Sequence, residues 1–141
     1  MGQYTVRKSI TLKAAPEVVW DALTNPEKTK QYFFNCAVHS KWQPGSSITF
    51  KGKMFWIIPI KMEGKIVNAI PGKLLQYTLQ NNGSGTKSTV TDELEYTNGE
   101  TTLNITDDVG DGPGAEKRFA RSEAGWDKVL GGLKKLVESG D

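Results

Sequence analysis

The sequence predicts an α+β protein, an antiparallel sheet with one apolar face covered by a long C-terminal helix. Three observations carry this. From Gly112 to Glu138, apolar or small residues recur at Ala115, Phe119, Ser122, Trp126, Val129, Leu133 and Leu136. These steps of three and four mark one face of an α-helix. Between Ala37 and Asp108, short segments alternate apolar and polar residues and are separated by turn signals, the pattern of half-buried strands. Only the terminal helix, roughly 35 Å long at about 1.5 Å per residue, is long enough to cover the face such strands share.

Taken in order, Gln3 to Leu12 sets Tyr4, Val6, Ile10 and Leu12 against Arg7, Ser9 and Thr11, a first strand. Pro16 followed by Glu17 opens a short helix, with Val19, Trp20 and Leu23 as its apolar face. Asn25-Pro26-Glu27 ends it and starts another, which runs to about Tyr32. Ala37 to Ser40 is a weak strand, and Trp42-Gln43-Pro44-Gly45 a turn. Ser46 to Met54 is a strand with Ile48 and Phe50 on one face. Met62 to Ile70 follows, with Met62, Ile66 and Ile70 together. After Pro71-Gly72, Lys73 to Gln80 carries Leu75, Tyr77 and Leu79 on one parity. Lys87 to Thr97 sets Val90, Leu94 and Tyr96 against Thr89, Thr91, Glu93 and Glu95. Asn98-Gly99 is a hairpin signal, and Glu100 to Asp108 completes the pair with Leu103 and Ile105. The count is about six to seven strands. Gly125, Gly131 and Gly132 interrupt the long helix at a cost of about 1 kcal/mol each relative to Ala. Close approach to the sheet, a bend, a helix able to shift, and plain tolerance all fit them.

With 141 residues, the chain suits one domain, 1–141, with one core. A net charge of +2, with the basic residues spread among acidic ones, offers no footprint for nucleic acid. One Cys and one His argue against a zinc site or an intrachain disulfide, and no residue set points to a metal or a cofactor. No apolar stretch has the length of a signal peptide or a membrane span. The expectation is a soluble cytoplasmic protein without membrane insertion.

The same residues resemble a known superfamily. Ala15-Pro16-Glu17-Val18-Val19-Trp20-Asp21-Ala22-Leu23-Thr24-Asn25-Pro26-Glu27 and Trp42-Gln43-Pro44-Gly45-Ser46 carry the match. So do Pro71-Gly72-Lys73-Leu74-Leu75-Gln76-Tyr77-Thr78, Ser88-Thr89-Val90-Thr91-Asp92-Glu93-Leu94-Glu95, and Gly125-Trp126 with Leu130, Leu133 and Leu136. Their order is similar to that of START-like, or SRPBCC, domains, which include the birch pollen allergen and polyketide cyclases. More closely, it resembles bacterial proteins homologous to the activator of heat-shock protein 90 ATPase. The resemblance implies a helix-grip fold, with a curved sheet, two short helices after strand one and the long helix across the concave face. It implies no shared catalytic motif, and one stretch departs from it: Phe55-Trp56-Ile57-Ile58-Pro59 is bulkier and more apolar.

The resemblance also implies a cavity between sheet and helix. Its candidate lining is Trp20, Phe50, Met62, Tyr77, Val90, Leu94, Leu103, Ile105, Phe119, Trp126 and Leu130, a set that would equally form an ordinary core. Asp92 shares parity with Val90 and Leu94. It either faces the cavity, where burial would raise its pKa, or sits at a bulge or rim. His39 could act as a base but has no visible partner, and Cys36 reads as a buried small hydrophobe. Pro59 makes part of the 55–59 segment a loop or an edge. Phe55, Trp56, Ile57 and Ile58 then mark either a partner or cavity-mouth surface, or a stretch folded back on the helices. The first reading of function is non-catalytic binding of a small hydrophobic or amphipathic molecule, lipid- or polyketide-like. The second is an activator-like protein-interaction domain acting on a chaperone, as in a stress response, or on another protein partner. A cyclase- or hydrolase-like enzyme ranks last, because no nucleophile, base and orienting residue fall together.

Overall fold

The computed structural model describes residues 4–54, 57–81 and 86–139. Strand β1 (Thr5–Leu12) is followed by helices α1 (Pro16–Thr24) and α2 (Pro26–Tyr32). Then come β2 (Cys36–Ser40), β3 (Ser47–Met54), β4 (Ile58–Ile70), β5 (Leu74–Gln80), β6 (Lys87–Thr97), β7 (Glu100–Asp108) and α3 (Ala115–Glu138). The seven strands form one antiparallel sheet in the order β1-β7-β6-β5-β4-β3-β2. Because β1 lies beside β7, the two short helices carry the chain from one edge of the sheet to the other. This is the helix-grip architecture: a curved sheet, two helices after the first strand, and α3 over the concave face.

Local chemistry explains the boundaries. Pro16 and Pro26 each stand in a first helical turn, where the missing N–H costs nothing. Asn25 Oδ1 accepts the Glu27 N–H at 3.0 Å and caps α2. Asn98 and Gly99 both have positive φ, 53° and 81°, as the two-residue hairpin between β6 and β7 demands.

Three expectations need correction. Ile70 does not share a face with Ile66, since a register shift between Ile66 and Asn68 lets Ala69 take the inward position opposite Leu75. A bulge reverses side-chain parity beyond it, and Ile70 is exposed. Strand β4 begins at Ile58 rather than at Met62, and Pro59 lies in it opposite Lys53 of β3, at an edge as its ring suggests. Among the described residues β4 pairs with β5 only from Gly64 onward, so residues 58–63 form an overhang with one open edge, where proline is tolerated. The third correction concerns the helix glycines. A Cβ on Gly132 would lie 2.8 Å from Tyr32 Cβ, and one on Gly125 would lie 3.2 Å from the Phe34 ring. The close approach is to the end of α2 and the residues after it, rather than to the sheet.

Gly131 differs, with nothing within 4 Å of an added Cβ. Gly131→Ala should therefore raise stability by about 1 kcal/mol through helix propensity alone. Gly132→Ala should lower it by roughly 1–3 kcal/mol, because Tyr32 or the helix must move. Urea unfolding of the two variants checks this, and equal shifts would contradict the packing of α3 on α2.

The two halves of α3 sit differently. In the C-terminal half, Trp126, Val129, Leu130, Leu133 and Val137 are buried, with Leu136 only partly so. Asp127 pairs with Lys8 of β1 at 3.1 Å, and Lys134 donates to the Thr11 carbonyl at 3.2 Å. In the N-terminal half no residue between Ala115 and Trp126 is buried. That half stands away from the sheet.

Candidate functional site

The concave face has an apolar field with acids set into it. Val90, Asp92 and Leu94 of β6 and Leu103, Ile105 and Asp107 of β7 all point inward and are buried. In register Asp92 faces Ile105 and Asp107 faces Val90, so the two acids are diagonal neighbours on one face, their backbone positions roughly 7–8 Å apart.

Two hollows lie between this face and α3. The deeper one, about 20 Å³, is lined by Tyr32, Phe50, Tyr77, Asp92, Leu103, Ile105 and Leu130, among others. That is room for about one water. The larger, about 760 Å³, lies under the N-terminal half of α3, with walls that include Phe34, Met62, Leu79, Val90, Val109 and Val129. Phe33, Trp126 and Val129 border both hollows and form the partition. Phe33 stacks on Phe50 at 4.7 Å and meets Trp126 edge-on at 5.9 Å, while Phe50 lies 5.9 Å from Tyr77. Aromatic rings thus fill one end of the interior, and the other end is open.

Of the sequence-derived candidates, Phe50, Tyr77, Asp92, Leu103, Ile105 and Leu130 line the deep hollow, Met62 and Val90 the large one, and Trp126 both. Trp20, Leu94 and Phe119 line neither. Trp20 is half-buried on α1, Leu94 is buried further along β6, and Phe119 packs edge-on against Tyr4. Ile57 and Ile58 are 80% and 52% exposed; Phe55 and Trp56 lie outside the described residues. His39 is exposed on β2 and does not meet Asp92 in either hollow. Cys36 is fully buried, and burial pushes its thiol pKa up.

The acids differ in support. Ser122 Oγ donates to Asp107 Oδ2 at 2.6 Å and Trp126 Nε1 donates to it at 3.0 Å, while Oδ1 is buried without a partner. Burial pushes the Asp107 pKa up, and the two donors oppose that. Asp92 Oδ1 is also buried without a partner. Desolvation, with the Asp107 charge added, raises its pKa to about 7. Burial and the Asp92 charge raise the phenols of Tyr32 and Tyr77 in turn. Tyr32 OH donates to the Ala22 carbonyl at 2.6 Å, which fixes the ring roofing the deep hollow.

Sequence reasoning passed over Asp107, although it continues the parity of Leu103 and Ile105, and Ser122 was the one polar member of the helix stripe. Also missed was Arg118. Its guanidinium donates to the carbonyls of Val109, Gly110, Asp111 and Pro113 and so ties the loop before α3 to the rim. Nothing in the sequence distinguishes that arginine from its neighbours.

A family profile described as activator of Hsp90 ATPase homolog 1-like protein matches residues 13–138. The chain belongs to that family. The Hsp90-activator-like assignment agrees with solved structures. A protein of Mesorhizobium loti is 23% identical, with a TM-score of 0.81 over 97% of this chain and 98% of that one. A Cytophaga hutchinsonii protein is 29% identical, with a TM-score of 0.73 over 96% and 94%. An Aha1 dimer from Colwellia psychrerythraea is 22% identical, with a TM-score of 0.75 over 95% and 96%. These likenesses establish the fold. A search of curated proteins finds no match. Among the described residues no helix of this chain is long and apolar enough to cross a membrane.

Proposed function

We propose that the protein binds a small amphipathic molecule, without chemical change, in the hollow beneath the N-terminal half of α3. The observation that carries this is the hollow itself: about 760 Å³, within the size range of small-molecule sites, with an apolar wall of Phe33, Met62, Leu79, Val90 and Trp126 and a polar one that includes Ser122, Lys117 and Arg121. Asp92 takes no direct part in this reading. It sits behind the Phe33–Trp126 partition, beside space for a single water. Trp126 is the natural reporter because it borders both hollows.

Native mass spectrometry of the freshly purified protein, followed by NMR titration with fatty acids, flavonoids and polyketide-like aromatics, tests the reading. A retained mass, or saturable shifts at Trp126, Met62 and Val90, supports it. Shifts confined to the outer face of the sheet would count against it.

A second reading, an activator-like protein partner, is favoured by the exposed Ile57 and Ile58 at the start of β4 and by the family to which the chain belongs. Its test is the ATPase rate of a purified Hsp90 with the wild-type protein and with an Ile57→Asp, Ile58→Asp variant. Stimulation lost in the variant supports it, and no stimulation by wild type removes it.

A further inference from the structure

The hydrogen-bonding groups around the large hollow are sorted by position, and the sorting selects a ligand. Most of the polar lining is already committed. Ser88 donates to Asn81, Asn81 donates to Thr86 and to the Val109 carbonyl, and Arg118 is spent on its loop. The indole N–H of Trp126 is given to Asp107.

Ser122 is different. Its proton is fixed on Asp107 Oδ2 at 2.6 Å, so the lone pairs of the hydroxyl remain to accept from within the hollow that Ser122 lines. A hydroxyl can in general donate or accept; a neighbouring carboxylate, 93% buried by its 7% exposure, leaves this one only the acceptor role. The inner polar groups of the site, Ser122 and the unpartnered Oδ1 of Asp107 beside it, therefore call for a donor.

The rim has the opposite character. Lys117 and Arg121 line the hollow and are exposed. They lie four residues apart on the first two turns of α3, where like charges repel and the helix dipole disfavours cations. Their helical neighbours at three and four positions are Pro113, Gly114, Arg118, Ala120, Ala124 and Gly125, none of them acidic. Among the described residues no carboxylate lies within ion-pair distance of either. Two unneutralised cations at the mouth suit an anion.

We infer that the ligand is a hydroxy acid: an apolar body with a hydroxyl that donates to Ser122 at the inner end and an anionic group held by Lys117 and Arg121 at the rim. This rests on the binding reading above and adds the ligand's polarity and its orientation. Binding is reversible, and no bond is made or broken.

Three steroid probes that differ at one end each test it: lithocholic acid, 5β-cholanic acid, which lacks the hydroxyl, and methyl lithocholate, which lacks the charge. Dissociation constants come from NMR shifts, with the indole N–H of Trp126 as a reporter. Wild type should prefer lithocholic acid by about tenfold over each control, the value of one net hydrogen bond or charge contact. Ser122→Ala should reduce the preference over cholanic acid several-fold, and an unchanged preference would overturn the role given to Ser122. Lys117→Gln with Arg121→Gln should erase the preference over the methyl ester, and as a surface variant it tests the inference even if Ser122→Ala unfolds. Equal binding of all three probes by wild type leaves the hollow as a binding site and overturns the hydroxy-acid inference. Binding of none overturns both.

Discussion

Asp92→Asn is expected to make the protein more stable at pH 8 and less stable, by about 1–2 kcal/mol, at pH 4. The folded-state pKa of Asp92 is raised from 3.8 to about 7 by burial and by Asp107. Between those values the folded protein holds a proton that the unfolded chain has released, so stability falls as pH rises. The contribution of the neutral acid is complete below the unfolded value and is lost as pH passes the folded one. At pH 8 the ionised, unpartnered carboxylate costs on the order of 4 kcal/mol. The amide removes that cost but carries its own burial penalty of roughly 1–3 kcal/mol. A net gain of about 2 kcal/mol should remain. Urea unfolding of both proteins from pH 4 to pH 8 measures the difference. If the difference did not grow with pH, Asp92 would be hydrated or paired, and the deep hollow misdescribed.

The largest loss is expected at Trp126. Trp126→Ala removes a side chain that packs on Phe33, joins the two hollows, and takes one of the two donors from Asp107. Large aromatic truncations cost about 3–5 kcal/mol, and the weakened carboxylate adds to that. Trp126→Phe separates the causes: it keeps most of the packing and loses the N–H, for about 1–3 kcal/mol. Thermal or urea unfolding reads both. Were the Ala variant no worse than the Phe variant, the ring would not be the partition described.

The fold was legible because period and punctuation agree along most of the chain. The Asn25-Pro26-Glu27 junction, the Asn98-Gly99 turn and the spacing from Ala115 to Leu133 each have one cheap structural solution. What misled was local. One extra residue at Val67 reverses a strand's parity without a composition signal, so Ile70 looked inward. Gly125 and Gly132 announced a close approach but could not say which element came close.

The site was legible in part. Parity allowed Asp92 an inward place but left a bulge or a rim position equally open, and the same rule applied two residues past Ile105 would have found Asp107. Strand spacing could not show that Phe33, Phe50 and Trp126 would meet and divide the interior, since that depends on how far α3 stands from the sheet. Trp20, Leu94 and Phe119 fit the stripes equally well, yet Trp20 stands on α1, Leu94 lies further along β6, and Phe119 turns from the hollow to the Tyr4 ring.

The overhang of β4 bears on how the molecule stays apart from its own copies. An open strand edge invites a second chain to add itself, the first step toward fibrils. Along this edge Pro59 has no N–H to offer a newcomer, and Lys61 and Glu63, paired at 2.6 Å and about half exposed, keep hydrated charges in its path. Two exposed isoleucines can therefore stand at the start of the strand without the edge beside them becoming a template. Replacing Pro59 and Lys61 together by valine would remove both guards, and the chain should then aggregate on concentration.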